Sequence, residues 1–176
     1  AVRPGGGGAP PGAATVFHGV AAPTISVAQY LERIFTYANC SSSVFVMAYA
    51  YIDRFIELNP DVPVTGTCVH RLLVTAVLVA AKFLDDIYYS NAYYAKVGGI
   101  PTAELNALEL ELLQRLDFRL HISPERLEQY CAHLEGAAQQ YAAQSSYAAA
   151  VHGQPCAPQR RNLLAAATFG HAIGAG

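Results

Sequence analysis

Between Pro23 and Leu134 the apolar residues recur at three- and four-residue spacing, the period of packed α-helices, and short polar breaks separate the runs. Ser26 stands as an N-cap before Val27, Tyr30, Leu31, Ile34, Phe35 and Ala38. After the break Asn39–Ser43, the run from Val44 to Asn59 is apolar on nearly every face until Asp53, Arg54 and Glu57. Pro60 and Pro63 then stop it. The run from Cys68 to Asp85 is more apolar still, and it predicts the central helix of a bundle. A short helical piece is expected over Asn91–Val97, closed by Gly98 and Gly99, followed by a helix over Ala103–Leu116. Ser123, Pro124 and Glu125 place a cap, a helix-starting proline and a first-turn acid in a row. The helix they open carries Leu127, Tyr130, Cys131 and Leu134 on one face. No segment alternates with the period of two that a strand needs, so the fold class is all-α.

Composition narrows the picture. In 176 residues, 53% are hydrophobic and only 14% charged, enough for one domain with a sizeable core. Glycine, alanine and proline crowd both ends. Residues 1–22 and 142–176 are therefore expected to be disordered tails flanking a helical domain over 23–121 and a C-terminal helix over 123–141. A net charge of −2 offers no footprint for nucleic acid or for acidic membranes. The longest apolar run, Leu72–Ala81, falls well short of the ~20 residues of a membrane span. Residues 1–12 lack the apolar stretch of a secretory signal. Cys40, Cys68, Cys131 and Cys156 are scattered without a C-x-x-C pair, as expected of reduced thiols in a soluble, intracellular protein.

The search for chemistry excludes more than it finds. No Glu-x-x-His pair, His-Glu-x-x-His, Gly-x-Ser-x-Gly or phosphate-binding Gly-rich loop occurs. Asp85 and Asp86 diverge by about 100° on a helix, so they do not converge on one ion. Six dispersed histidines form no ligand pair, and neither metal nor cofactor is expected. One carboxylate stands out. Measured from Leu105, the positions Leu108, Leu112 and Leu116 fall within about 60°, and Glu109 lands about 40° away, inside the apolar stripe. A carboxylate there needs a partner. Lys82, at the end of the central helix, is the opposite charge. The two form an internal pair, are separately solvated (Lys82 then meeting Asp86), or both face another molecule. Asp53 and Arg54 raise a similar choice: Arg54 pairs with Glu57 on the surface, or Asp53 is a buried carboxylate drawing a cation from elsewhere. The tyrosines at 88, 89, 93 and 94 read as half-buried packing, and clustered tyrosines are also what protein interfaces use.

Taken in order, Tyr51-Ile-Asp-Arg-Phe55, Ala80-Ala-Lys-Phe83, Leu108-Glu109 and Leu116-Asp-Phe118 resemble the cyclin box. The match is closer to the plant U-type, or P-type, cyclins, which are related to the phosphate-response cyclins of fungi. Tyr30-Leu-Glu-Arg-Ile-Phe35, Val69-His-Arg-Leu-Leu73 and the block from Lys82 through Gly99 carry that subgroup's signatures. The resemblance covers about residues 23–135. It implies a single five-helix bundle around its third helix, with a short extra C-terminal helix. It also implies a non-catalytic regulatory subunit in a heterodimer with a cyclin-dependent protein kinase, in the nucleus and/or cytoplasm.

On that resemblance Lys82, Phe83 and Glu109 are the kinase-binding residues, and Asp53 and Arg54 are structural. Two departures accompany it. Cell-cycle cyclins open the box with an arginine that pairs with the Asp of the Asp-Arg-Phe element. Here Thr24 occupies that place, and Arg33 is the candidate substitute. The Met-Arg-Ala-Ile-Leu surface that recruits substrates is absent as well. The competing readings are a cyclin-fold scaffold that binds other proteins without activating a kinase, and a helical enzyme.

Overall fold

The computed structural model describes residues 15–152, which hold six helices and no strand. These are α1 (Val27–Tyr37), α2 (Ser42–Leu58), α3 (Val69–Leu84), α4 (Asn91–Gly98), α5 (Thr102–Arg115) and α6 (Pro124–His152). The first five form a bundle around α3, which packs against α1, α2, α4 and α5. Every α3 residue from Val69 to Ala81 is buried except Arg71. Thr75, polar and fully enclosed, is satisfied by donating to the Arg71 carbonyl one turn back at 2.7 Å.

Local chemistry sets the helix ends. Ser26 and Gln29 form a capping box: Ser26 Oγ accepts from the Gln29 N–H, and Gln29 Oε1 accepts from the Ser26 N–H, both at 3.2 Å. Ser90 caps α4, and Ser123 Oγ accepts from the Arg126 N–H at the start of α6. The two glycines after Val97 have different tasks. Gly99 takes a left-handed φ of 71° and ends α4. Gly98 lets α4 approach its neighbours: a Cβ there would lie 2.9 Å from Val74 Cγ2 and 3.1 Å from Tyr30 Oη. The Tyr30 hydroxyl also donates to the Gly98 carbonyl at 3.0 Å.

Two tail expectations change. The N-terminal segment is not featureless up to residue 22. Phe17 is 1% exposed and packs edge-to-face on Phe55 at 5.6 Å, and the Gly19 N–H donates to the Thr67 carbonyl. One aromatic side chain seated in the core holds a stretch whose composition argues for disorder. The C-terminal helix is not short either; it continues from Pro124 to His152, past the expected end at 141. Alanine and glutamine are strong helix formers, so helix propagates there without an amphipathic period. Residues 1–14 and 153–176, where the remaining tail expectations fall, lie outside the described residues. Cys40, Cys68 and Cys131 are free thiols. Burial, with the charge of Asp85 adding, pushes the Cys40 thiol up to about 11, which keeps it protonated at neutral pH.

Two substitutions test these contacts. Phe17→Ala should destabilise the fold by about 3 kcal/mol in urea unfolding, whereas a dangling tail residue would cost nothing. Gly98→Ala should cost about 1–3 kcal/mol, because Val74 is β-branched and fully enclosed and has no rotamer into which to retreat.

Candidate protein-docking site

The last turn of α3 delivers Lys82 to the surface where α3, α4 and α5 meet. Lys82 Nζ donates to Glu109 Oε1 at 2.7 Å. Of the three arrangements open for these residues, the internal pair is present, and Lys82 does not turn to Asp86. The pair is not sealed in: the Lys82 side chain is 31% exposed and that of Glu109 17%. The α5 stripe follows the helical arithmetic, with Leu105, Leu108, Leu112 and Leu116 fully enclosed and Glu109 at its margin. A third residue joins them. Asn91, the first residue of α4, donates through Nδ2 to Glu109 Oε2 and to Asn106 Oδ1, each at 2.7 Å. Nothing in the sequence points to Asn91, since its partners lie on another helix and its position reads only as a helix start.

Beside this cluster the chain exposes a run of large apolar side chains. Phe83 is 46% exposed and Ile87 88%, and Leu84, Tyr88 and Tyr89 are exposed as well. Bare apolar surface of this kind costs about 25 cal/mol per Å², which a partner recovers by covering it. The tyrosine block divides its labour. Tyr94 is enclosed in the core. Tyr93 stacks on Tyr89 at 4.3 Å and donates to the Tyr37 carbonyl at 2.6 Å. Tyr89 Oη accepts from Asn39 Nδ2 at 2.8 Å, and Asp85 accepts from the Ser41 N–H at 3.1 Å. These bonds pin residues 85–90, the connection from α3 to α4, against the α1–α2 junction and leave Ile87 and Tyr88 facing outward.

The Tyr51-Ile-Asp-Arg-Phe55 element does different work, on α2. Tyr51 Oη donates to the Leu120 carbonyl at 3.1 Å, and Phe55 meets Phe17. Arg54 does not pair with Glu57. Its guanidinium donates to the carbonyls of Arg119 and His121, and Glu57 lies 4.0 Å from Arg126 instead. The reason lies in the turn after α5, where Asp117 and Phe118 both adopt positive φ, 53° and 56°. Two left-handed residues in succession are costly. Arg54 and Tyr51 hold the carbonyls that follow.

Asp53 draws no ion pair from Arg33, so that substitution is corrected. Arg33 instead donates to the Val97 carbonyl at 2.8 Å and the Lys96 carbonyl at 3.3 Å, where the C-terminal end of α4 attracts a cation. Asp53 accepts from the Tyr130 hydroxyl at 2.7 Å, and the Arg126 guanidinium lies 5.5 Å over the Tyr130 ring. Burial, and then the bond to Asp53, push the Tyr130 phenol above its usual range.

Among the described residues, no group of three or more His, Cys, Asp or Glu side chains is placed to hold a metal ion. No helix among them is long and apolar enough to cross a membrane. What the arrangement offers is a hydrogen-bonding cluster of fixed geometry next to uncovered apolar surface, the anatomy of a protein-docking site.

Comparison with known proteins places the chain in a family. The family model described as Cyclin matches residues 11–120. Cyclin-U4-1 of Arabidopsis thaliana is 57% identical over 121 residues, 69% of this chain and 60% of the relative. Cyclin-P3-1 of Oryza sativa subsp. japonica is 53% identical over 121 residues, 69% of this chain and 51% of the relative. Cyclin-P4-1 of the same rice is 50% identical over 123 residues, covering 70% and 58%. The chain thus matches between half and three-fifths of the length of these relatives.

The bond that joins α6 to α2 is testable without any partner. Tyr130→Phe should lower stability by about 1–2 kcal/mol in urea unfolding, since a charged acceptor loses its donor. Hydrogen exchange should quicken first in the opening turns of α6; an unchanged exchange pattern would remove Asp53 as the anchor of that helix.

Proposed function

Because the chain belongs to the cyclin family, alongside plant U-type and P-type cyclins, we propose that it binds and activates a cyclin-dependent protein kinase through the face built by Lys82, Phe83 and Glu109. Cyclins are regulatory rather than catalytic proteins, and the partner carries the active site. The observation that most supports the reading is the Lys82–Glu109 pair of 2.7 Å standing beside the exposed Phe83.

The chemistry suits a partner's backbone. Lys82 Nζ carries three N–H donors and spends one on Glu109, leaving two for carbonyl groups. Each Glu109 oxygen holds one bond and has a lone pair left for a peptide N–H or another donor. Phe83, with Leu84 and Ile87, supplies the apolar area that polar contacts alone lack. Docked here, the mobile helix of the kinase swings inward and completes the kinase's own Lys–Glu pair, which positions the nucleotide phosphates. The complex is a heterodimer in the nucleus and/or cytoplasm, and it couples the kinase to cell-cycle or nutrient (phosphate) signalling.

The test is co-purification with a panel of cyclin-dependent kinases, followed by a phosphorylation assay. The wild-type chain should bind at least one and raise its activity. Lys82→Ala and Glu109→Ala should each weaken binding by about 2–5 kcal/mol with the helical circular dichroism unchanged. A wild-type chain that neither binds nor activates any kinase would end this reading. Binding without activation would favour a scaffold.

A further inference from the structure

Lys82 and Asn91 bracket residues 83–90, which carry the exposed Phe83, Ile87 and Tyr88, one standing just before the segment and one just after it. Both end on the same carboxylate, Lys82 on Oε1 and Asn91 on Oε2 of Glu109. We infer that Asn91 is a positioning residue of the docking face: it locks the Glu109 carboxylate and closes the loop that presents Phe83, Ile87 and Tyr88. This rests on the kinase-docking reading of the same face and goes beyond it by adding a residue that need not touch the partner.

The geometry carries the inference. A carboxylate held at one oxygen by one flexible lysine can still turn about its last bond. Held at both oxygens from two helices, its plane is set. The Asn91 amide has a single orientation that serves, because Glu109 only accepts, so Nδ2 must face it. Its second N–H goes to Asn106, one helical turn before Glu109 on α5, which leaves that amide no unused donor. Ser90 caps α4 at the preceding position, so the backbone that carries Asn91 is itself fixed. Segment 83–90 therefore leaves the bundle at Lys82 and returns at Asn91, with both ends fastened to one side chain of α5. Fixing a rotamer-rich carboxylate before binding removes an ordering cost from association.

The experiment is a double-mutant cycle on the full chain, read as affinity for the kinase that the wild type binds. Asn91→Ala should weaken binding roughly three- to tenfold, the size of one side chain's ordering cost. In a Glu109→Ala background the same change should add nothing, because the group it positions is gone. If Asn91→Ala leaves affinity unchanged while Glu109→Ala weakens it, the inference is wrong and the docking reading stands. Losses that simply add would also overturn it, since Asn91 would then act on its own.

A kinase-free readout separates the two ideas should no kinase bind. The Asn91 side-chain amide protons should show slowed exchange in nuclear magnetic resonance spectra, and Glu109→Ala should shift one of them. Amide protons that exchange freely and ignore Glu109→Ala would refute the clasp by themselves.

Discussion

A helix enclosed on every side, α3, is the constraint from which the rest of the molecule follows. With nearly every residue from Val69 to Ala81 out of contact with water, it must be ringed by other helices. It must also keep its charged groups to its ends. Arg71, near the start, meets Glu104 of α5 at 2.6 Å, and Lys82, in the last turn, meets Glu109 of the same helix at 2.7 Å. The two pairs bracket the α3–α5 contact like a pair of pins. A carbonyl-rich helix end favours a cation, so the lysine is stabilised by its own helix as well as by its partner.

This arrangement accounts for where the proposed docking face lies. A buried helix has to emerge somewhere, and at its exit the chain cannot be apolar and covered at once. In this fold the exit is Lys82 followed by Phe83 and Leu84, both exposed. Charge that satisfies the structure and apolar surface that does not are thereby neighbours in sequence and in space.

Periodicity made much of the fold legible. It located the first five helices to within a few residues and put Glu109 inside a leucine stripe, at whose margin the structure has it. What it missed has common physical causes. Phe17 is one aromatic in a glycine-rich stretch, and a single anchor leaves no period to detect. The far half of α6 is rich in alanine and glutamine, helix formers that leave no amphipathic period to detect. Asn91 and Tyr130 reach partners on other helices, 18 and 77 residues away in sequence. Polar contacts at that separation depend on how helices cross, which no local pattern encodes. Asp53 shows the limit of a resemblance: a carboxylate usually matched by an arginine is here satisfied by a phenol.

The attachment of α6 has a consequence for how the molecule comes apart. Among the described residues, α6 packs on α2, held there by Leu134, by Tyr130 on Asp53 and by an edge-to-face contact of Tyr130 with Tyr49. The five other helices share α3 or one another. Local opening follows the weakest attachment, so α6 is expected to release before the bundle that shares α3. Since Lys82, Asn91 and Glu109 all belong to that bundle, the proposed docking face would survive the loss of α6.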